Sequence, residues 1–346
     1  MTRQTNIVIV GYGNVGRGVN EAIKRNSDMG LIGVISRSPN RVEKELGGEA
    51  PVFYQNSILN HETTQPIADV AILCGGSKND LPKQGPLFAA RYNTVDSFDN
   101  HPHIGPYIDE KTQEQKRGHF EKMNKAASFQ GHTSIVSAGW DPGTFSVNRV
   151  LMDAFLPGSI PKGFYGLGEK GGLSMGHSDA IRKIDGVKDA RQYTHAIPEA
   201  IQRVRNGENP NLSAGEMHTR ECYVTLENDT PKERERVTIE IKAMKDYFAS
   251  YDTTVNFVSQ NELDDKMPHD GLVLAVGETG QGNRAVIEYR NEWSSNPEAT
   301  ANVLVACARA AHRLNEEHKL GAHTMLDIAP AYFSQKSHDE LLKDFM

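Results

Sequence analysis

An apolar run, Asn6-Ile7-Val8-Ile9-Val10, stops abruptly at Gly11. A short run without polar alternation predicts a strand covered on both faces. A helix is predicted to follow through Arg25, then a second strand over 31–37. Residues 70–74, 93–95 and 133–136 repeat the short apolar pattern. Short buried strands alternating with helical stretches predict a parallel, doubly wound sheet over roughly 1–140. The middle of the chain changes character. Segments 221–226, 253–258, 271–276 and 285–290 read as strands without regular crossover helices, which predicts a second α+β domain on an open mixed sheet. Residues 231–244 carry two periods: Val237, Ile239 and Ile241 alternate, whereas Val237, Ile241 and Met244 have helical spacing, and the reading leans to helix. The clearest helix runs over 296–313, with Asn296 suited to the N-cap and Pro297 to the first helical position. It is expected to return to the first domain, giving one domain from 1–140 with 297–346 and a second from 141–296.

Composition narrows the class. A chain of 346 residues holds two domains of ordinary size. With 38% hydrophobic and 24% charged residues it reads as globular. No apolar run approaches the ~20 residues that span a bilayer, and the first residues lead straight into a strand, so neither a membrane segment nor a signal peptide is expected. Cys74, Cys222 and Cys307 form no C-x-x-C pair and read as buried thiols of a reducing compartment, the cytoplasm. A formal net charge of -7 argues against nucleic acid as a partner but leaves small anions open.

The chemistry begins where the first strand ends. Gly11-Tyr12-Gly13-Asn14-Val15-Gly16, between a strand and a helix, is a dinucleotide fingerprint of Rossmann type: a tight turn, a close approach to pyrophosphate and close helix packing, one per glycine. The end of the second strand selects the nicotinamide cofactor. No carboxylate stands between Asp28 and Glu43 to take a ribose hydroxyl; Ser36-Arg37-Ser38 and Arg41 stand there instead, and they suit the 2′-phosphate of NADP. Cys74-Gly75-Gly76-Ser77 follows a later strand on the same carboxyl edge. The tips Thr94-Val95-Asp96 and Ala138-Gly139-Trp140-Asp141-Pro142 complete the expected cofactor contacts. Two carboxylates at strand tips, Asp96 and Asp141, would suit a substrate ammonium. His101 and His103 have no further metal-ligand pattern around them, so no metal is expected. His177 reads as a packed or capping residue before a helix.

Taken together, the segments 9–16 (IVGYGNVG), 95–101 (VDSFDNH), 139–146 (GWDPGTFS), 173–182 (LSMGHSDAIR), 192–194 (QYT), 267–271 (MPHDG) and Asn296-Pro297 resemble those of the meso-diaminopimelate D-dehydrogenase family over essentially the whole chain. The resemblance implies NADP-dependent oxidative deamination of the D-centre of meso-2,6-diaminopimelate to L-2-amino-6-oxopimelate and ammonia, in lysine and cell-wall precursor metabolism. It implies that Asp96 and Asp141 lie at the D-centre as catalytic groups, with Trp140 beside the nicotinamide and Met175 and Gly176 near the same end. Thr194, Arg220 and His269 would hold the carboxylate of the distant L-centre, and Asn296 would help to fix it. It also implies a homodimer whose second domain makes the subunit contact. The acceptor of the amine proton is left open among Asp141, Asp96 and an ordered water. Two departures, Tyr165 where better-known members carry Trp and the insertion Gly168-Glu169-Lys170-Gly171, lead to the expectation of a broader range of D-amino acids. The alternatives are such a broad D-amino acid dehydrogenase, a sugar or homoserine-type NADP oxidoreductase, and an NADP-binding regulatory protein without turnover.

Overall fold

Strands with no polar face need cover on both sides, and a parallel sheet supplies it. In the computed structural model, which describes residues 4–60, 66–109, 111–208, 210–245, 247–263 and 267–346, seven strands form one parallel sheet. Their order is Gly321–His323, Thr133–Ile135, Asn93–Asp96, Val70–Leu73, Thr5–Val10, Met29–Ser36 and Val52–Tyr54. Thr5–Val10 pairs in parallel on both edges, and Ile7, Val8 and Ile9 are fully buried as a result. The sheet changes direction of winding beside this strand. The carboxyl ends of Thr5–Val10 and Val70–Leu73 therefore flank the crevice where ligands of doubly wound sheets bind.

Each face of the sheet has its own core. One face packs Ile7, Ile9 and Val34 against the C-terminal helix Asn296–Glu316 through Ala301, Leu304, Val305 and Ala308. Gly18 permits the close approach, since a Cβ there would stand 3.0 Å from that of Ala301. The other face buries Val8, Val10, Leu73, Phe88 and Met123. The chain divides into two compact units, Met1–Val147 with Pro297–Met346, and Asn148–Asn296. The first change of unit falls after Val147 rather than at 140/141, so the turn bearing Trp140 and Asp141 belongs to the first unit. The edge strands Val52–Tyr54 and Gly321–His323 were not anticipated, because three residues are too few to establish a period.

The second unit holds two sheets. Gly172–Leu173, Val187–Ala196, His218–Leu226 and Thr253–Phe257 form a four-stranded sheet, antiparallel except for its last pairing. Arg284–Trp293, His269–Glu278 and Lys162–Tyr165 form an antiparallel three-stranded sheet. The ambiguous segment is the helix Pro231–Ala243, capped by the Thr230 side chain accepting from Glu233 N. Val237 and Ile241 are buried while Ile239 is 61% exposed, so the helical period prevails over the alternating one. Among the described residues no helix is long and apolar enough to cross a membrane, and no group of His, Cys, Asp and Glu side chains is arranged to hold a metal ion.

Candidate active site

The first unit carries a cavity of about 240 Å³ at the carboxyl ends of its central strands. Gly11, Tyr12 and Gly13 form one wall, Ser36, Arg37 and Ser38 a second, and Cys74, Gly75 and Gly76 a third. Two glycines of the fingerprint are required by geometry. Gly11 has φ +90°, and a Cβ on Gly16 would lie 2.2 Å from the Gly11 carbonyl oxygen. The helix Asn14–Lys24 starts directly behind the turn and presents its unpaired N–H groups to an anion. Desolvation pushes the Cys74 thiol up to about 12.

At the far wall Arg37 forks onto Asp80, with Nη1–Oδ1 3.0 Å and Nη2–Oδ2 3.2 Å, and Gly76 N donates to the same carboxylate at 3.0 Å. The Arg37 side chain is 63% exposed, so this pair holds the guanidinium over the cavity at little cost to release. Asp80, Gln55 and Gln84 line the cavity without having been singled out in the sequence. Asp80 stands just before the helix Leu81–Ala89, where it reads as a cap.

Other residues expected at the cofactor lie outside the lining of this cavity. Thr94 is fully buried, its Oγ1 2.7 Å from Ser134 Oγ, and Val95 belongs to the sheet core, so neither offers its side chain to a ligand. Ala138 is buried in that core as well. Ser77 Oγ accepts from Asp99 N at 2.8 Å. Asn14 Oδ1 accepts from Arg17 Nη2 at 2.6 Å, and Val15 packs against the core.

The turn after Thr133–Ile135 carries Trp140 and Asp141. Ser137 has φ +56°, Gly139 φ +157° and Gly143 φ +138°, and the Asp141–Pro142 peptide is cis. Trp140 is 8% exposed, edge-on to Phe145 at 5.8 Å between ring centres. Asp141 is half-buried at the turn. Asp96 is fully buried: Oδ1 accepts from Phe98 N and Ser137 N, both at 3.0 Å, and Oδ2 lies 2.8 Å from His119 Nε2. Both oxygens are engaged inside the protein, where the carboxylate ties the turn to the end of the strand Asn93–Asp96.

The second unit buries an arginine. Thr194 and Arg220 face each other across two antiparallel strands, and Arg220 Nη1 donates to Thr194 Oγ1. The guanidinium lies over the Tyr251 ring, 4.1 Å from its centre. Arg220 is 9% exposed, its Nε has no hydrogen-bond partner, and no carboxylate pairs with it among the described residues. Burial lowers its pKa. A buried arginine without a counter-ion is costly unless something else supplies the negative charge.

His177 and His218 stand near enough to feel its charge, and desolvation holds both imidazoles below the ordinary histidine range. His177 is pushed down to about 3, first by burial and then by Arg220; its Nδ1 lies 2.6 Å from Ser174 Oγ, the N-cap of Met175–Ile181. His218 is pushed down to about 4 and accepts from Tyr165 N at 3.0 Å. His269 is likewise lowered to about 4 by burial. Tyr165 stacks on His218 at 5.3 Å between ring centres and accepts from Arg149 Nη2 at 2.8 Å. Asn296 donates from Nδ2 to Leu173 O at 3.2 Å and from its backbone to Met267 O at 2.7 Å. Met175 is half-buried and Gly176 exposed at the start of their helix. The inserted Gly168 and its neighbour Leu167 donate to the Asp270 carboxylate at 2.9 and 2.7 Å.

The Rossmann-type sheet, the arginine at the end of its second strand and the relatives of this chain define an NADP-dependent amino acid dehydrogenase. The description "Diaminopimelic acid dehydrogenase C-terminal domain" matches residues 139–295. Among curated relatives, the meso-diaminopimelate D-dehydrogenase of Lysinibacillus sphaericus is 46% identical over 98% of each chain, and that of Corynebacterium glutamicum 38% identical over 97% of each. Among solved structures, the C. glutamicum diaminopimelate dehydrogenase in complex with diaminopimelate has a TM-score of 0.87 at 37% identity and covers both chains fully. An engineered D-amino acid dehydrogenase bound to NADP⁺ has a TM-score of 0.84 at 36% identity, over 99% of this chain and 100% of the other. The chain belongs to the meso-diaminopimelate D-dehydrogenase family.

Proposed function

We propose that this chain oxidatively deaminates the D-centre of meso-2,6-diaminopimelate, with NADP⁺ as oxidant and water as the source of the carbonyl oxygen, giving L-2-amino-6-oxopimelate, ammonia and NADPH. The observation that carries the reading is Arg220, a buried guanidinium with no carboxylate of the described chain to pair with. A substrate carboxylate would supply that charge, bidentately, with Thr194, His269 and Asn296 completing the hold on the L-centre. Met175, Gly176 and Tyr165 would shape the pocket. Bound NADP⁺ supplies the hydride acceptor, and Gly11, Gly13, Ser36, Arg37, Ser38 and Gly75 would hold it. Asp141 takes the reacting ammonium and aims the Cα–H, beside Trp140. Its half-buried position suits contact with a ligand, whereas the buried Asp96 supports the turn. The test is formation of NADPH with the meso isomer and not with the LL isomer; reduction that ignores the isomer would contradict the assignment.

Arg220 works against a broad range of D-amino acids. A substrate without a distal carboxylate leaves the guanidinium unpaired, so such substrates are read as poor despite Tyr165 and the insertion. Exposed Val150, Leu151 and Phe155 on one helix support the expected homodimer, and three cysteines without a disulfide support the cytoplasm.

Replacing Arg37 with Asp sets a second carboxylate beside Asp80. Affinity for NADP⁺ should fall by roughly 100-fold and that for NAD⁺ by less than about three-fold, from the loss of one charge-assisted contact plus repulsion. Equal losses, measured by titration with each dinucleotide, would remove Arg37 from the phosphate site.

A further inference from the structure

The turn that carries Trp140 and Asp141 is secured through Asp96 by His119, a side chain that no motif singles out. Ser137 starts the turn in the left-handed region at φ +56°, unfavourable for a residue with a side chain. Its backbone N–H donates to Asp96 Oδ1 at 3.0 Å, and Ala138 N donates to the Asp96 carbonyl at 2.8 Å. Asp96 thus tethers two successive residues of the turn. Asp96 is itself fixed by His119, the first residue of the helix His119–Gln130, whose Nε2 lies 2.8 Å from Oδ2. The imidazole is 3% exposed and stacks on Phe98 at 4.2 Å between ring centres. A Cβ on Gly85 would stand 3.2 Å from its Cε1, so the ring has little room to turn. Its buried Nδ1 has no partner among the described residues, which puts the proton on Nε2, where it has an acceptor.

We propose that His119 is a positioning residue for the deamination: by donating to Asp96 it holds the turn that aims Trp140 and Asp141. The proposal rests on the role given to Asp141 above. Without the Nε2–H donor one oxygen of a buried carboxylate loses its partner, and the tether on Ser137 loosens. The glycine turn at 11–13 follows a different strand and is untouched, so cofactor affinity and rate should separate.

The experiment compares three variants of the full chain with meso-diaminopimelate and NADP⁺. His119→Phe keeps an aromatic ring against Phe98 and deletes the donor; its kcat should fall by about 100-fold with the KM for NADP⁺ within about two-fold of wild type. His119→Gln and His119→Asn separate positioning from packing, and they decide the matter even if the Phe variant does not fold. Glutamine carries its amide nitrogen where Nε2 stands and should recover kcat to within about ten-fold, whereas asparagine, too short to reach Asp96, should not. Equal kcat for the Gln and Asn variants, or wild-type kcat in the Phe variant, overturns the proposal. A parallel loss of kcat and NADP⁺ affinity overturns it too, since that marks general disorder of the unit. If wild type itself forms no NADPH from diaminopimelate, the assigned reaction fails and the positioning role falls with it.

Discussion

Replacing Arg220 with methionine is expected to raise the KM for meso-diaminopimelate by roughly 10- to 100-fold, the worth of a charge-assisted, bidentate contact. The KM for NADP⁺ should stay as it is, because the glycine cavity belongs to another compact unit. The same change should raise the Tm of the ligand-free protein by roughly 2–4 °C. The reason is that Arg220 is buried, its Nε lacks a partner, and it meets no carboxylate among the described residues. A methionine of similar length fills the space over Tyr251 without that desolvation cost. A weaker grip on substrate together with a more stable fold is the signature of a residue kept for binding. An unchanged KM in steady-state kinetics would remove Arg220 from the pocket.

Asp141→Ala should lower kcat by roughly 100- to 1,000-fold, since a positioned charge at the reacting centre acts on orientation and on developing charge together. Asp141 sits in a turn built from Ser137, Gly139 and Gly143 at positive φ, a backbone course specified well beyond the needs of a connection. Single-turnover measurement of NADPH formation would check it. Retention of kcat within about three-fold of wild type would assign ammonium orientation elsewhere.

Much of this was legible in the chain itself, for identifiable reasons. The fingerprint at 11–16 was readable because two of its glycines answer to steric demands that no other residue meets, a positive φ at Gly11 and a closed space at Gly16. Ser36-Arg37-Ser38 was readable because the end of the second strand has a fixed relation to the ribose. The enclosure of Asp96 was not legible, because the identity and place of a residue do not reveal which way its oxygens face. The donors that enclose it, Phe98, Ser137 and His119, come from three separate segments. The Arg37–Asp80 pair was hidden for the same reason, its members being 43 positions apart. Residues 231–244 carried both periods, and only burial of Val237 and Ile241 with exposure of Ile239 separates them.

The central claim is that one end of a symmetric chain is held by Arg220 while the other reacts, and isotope transfer tests it directly. Diaminopimelate carrying deuterium at the D-centre should deliver that deuterium to the reduced cofactor, while substrate labelled at the L-centre should deliver none. Transfer from the L-centre, or from both centres alike, would contradict the account.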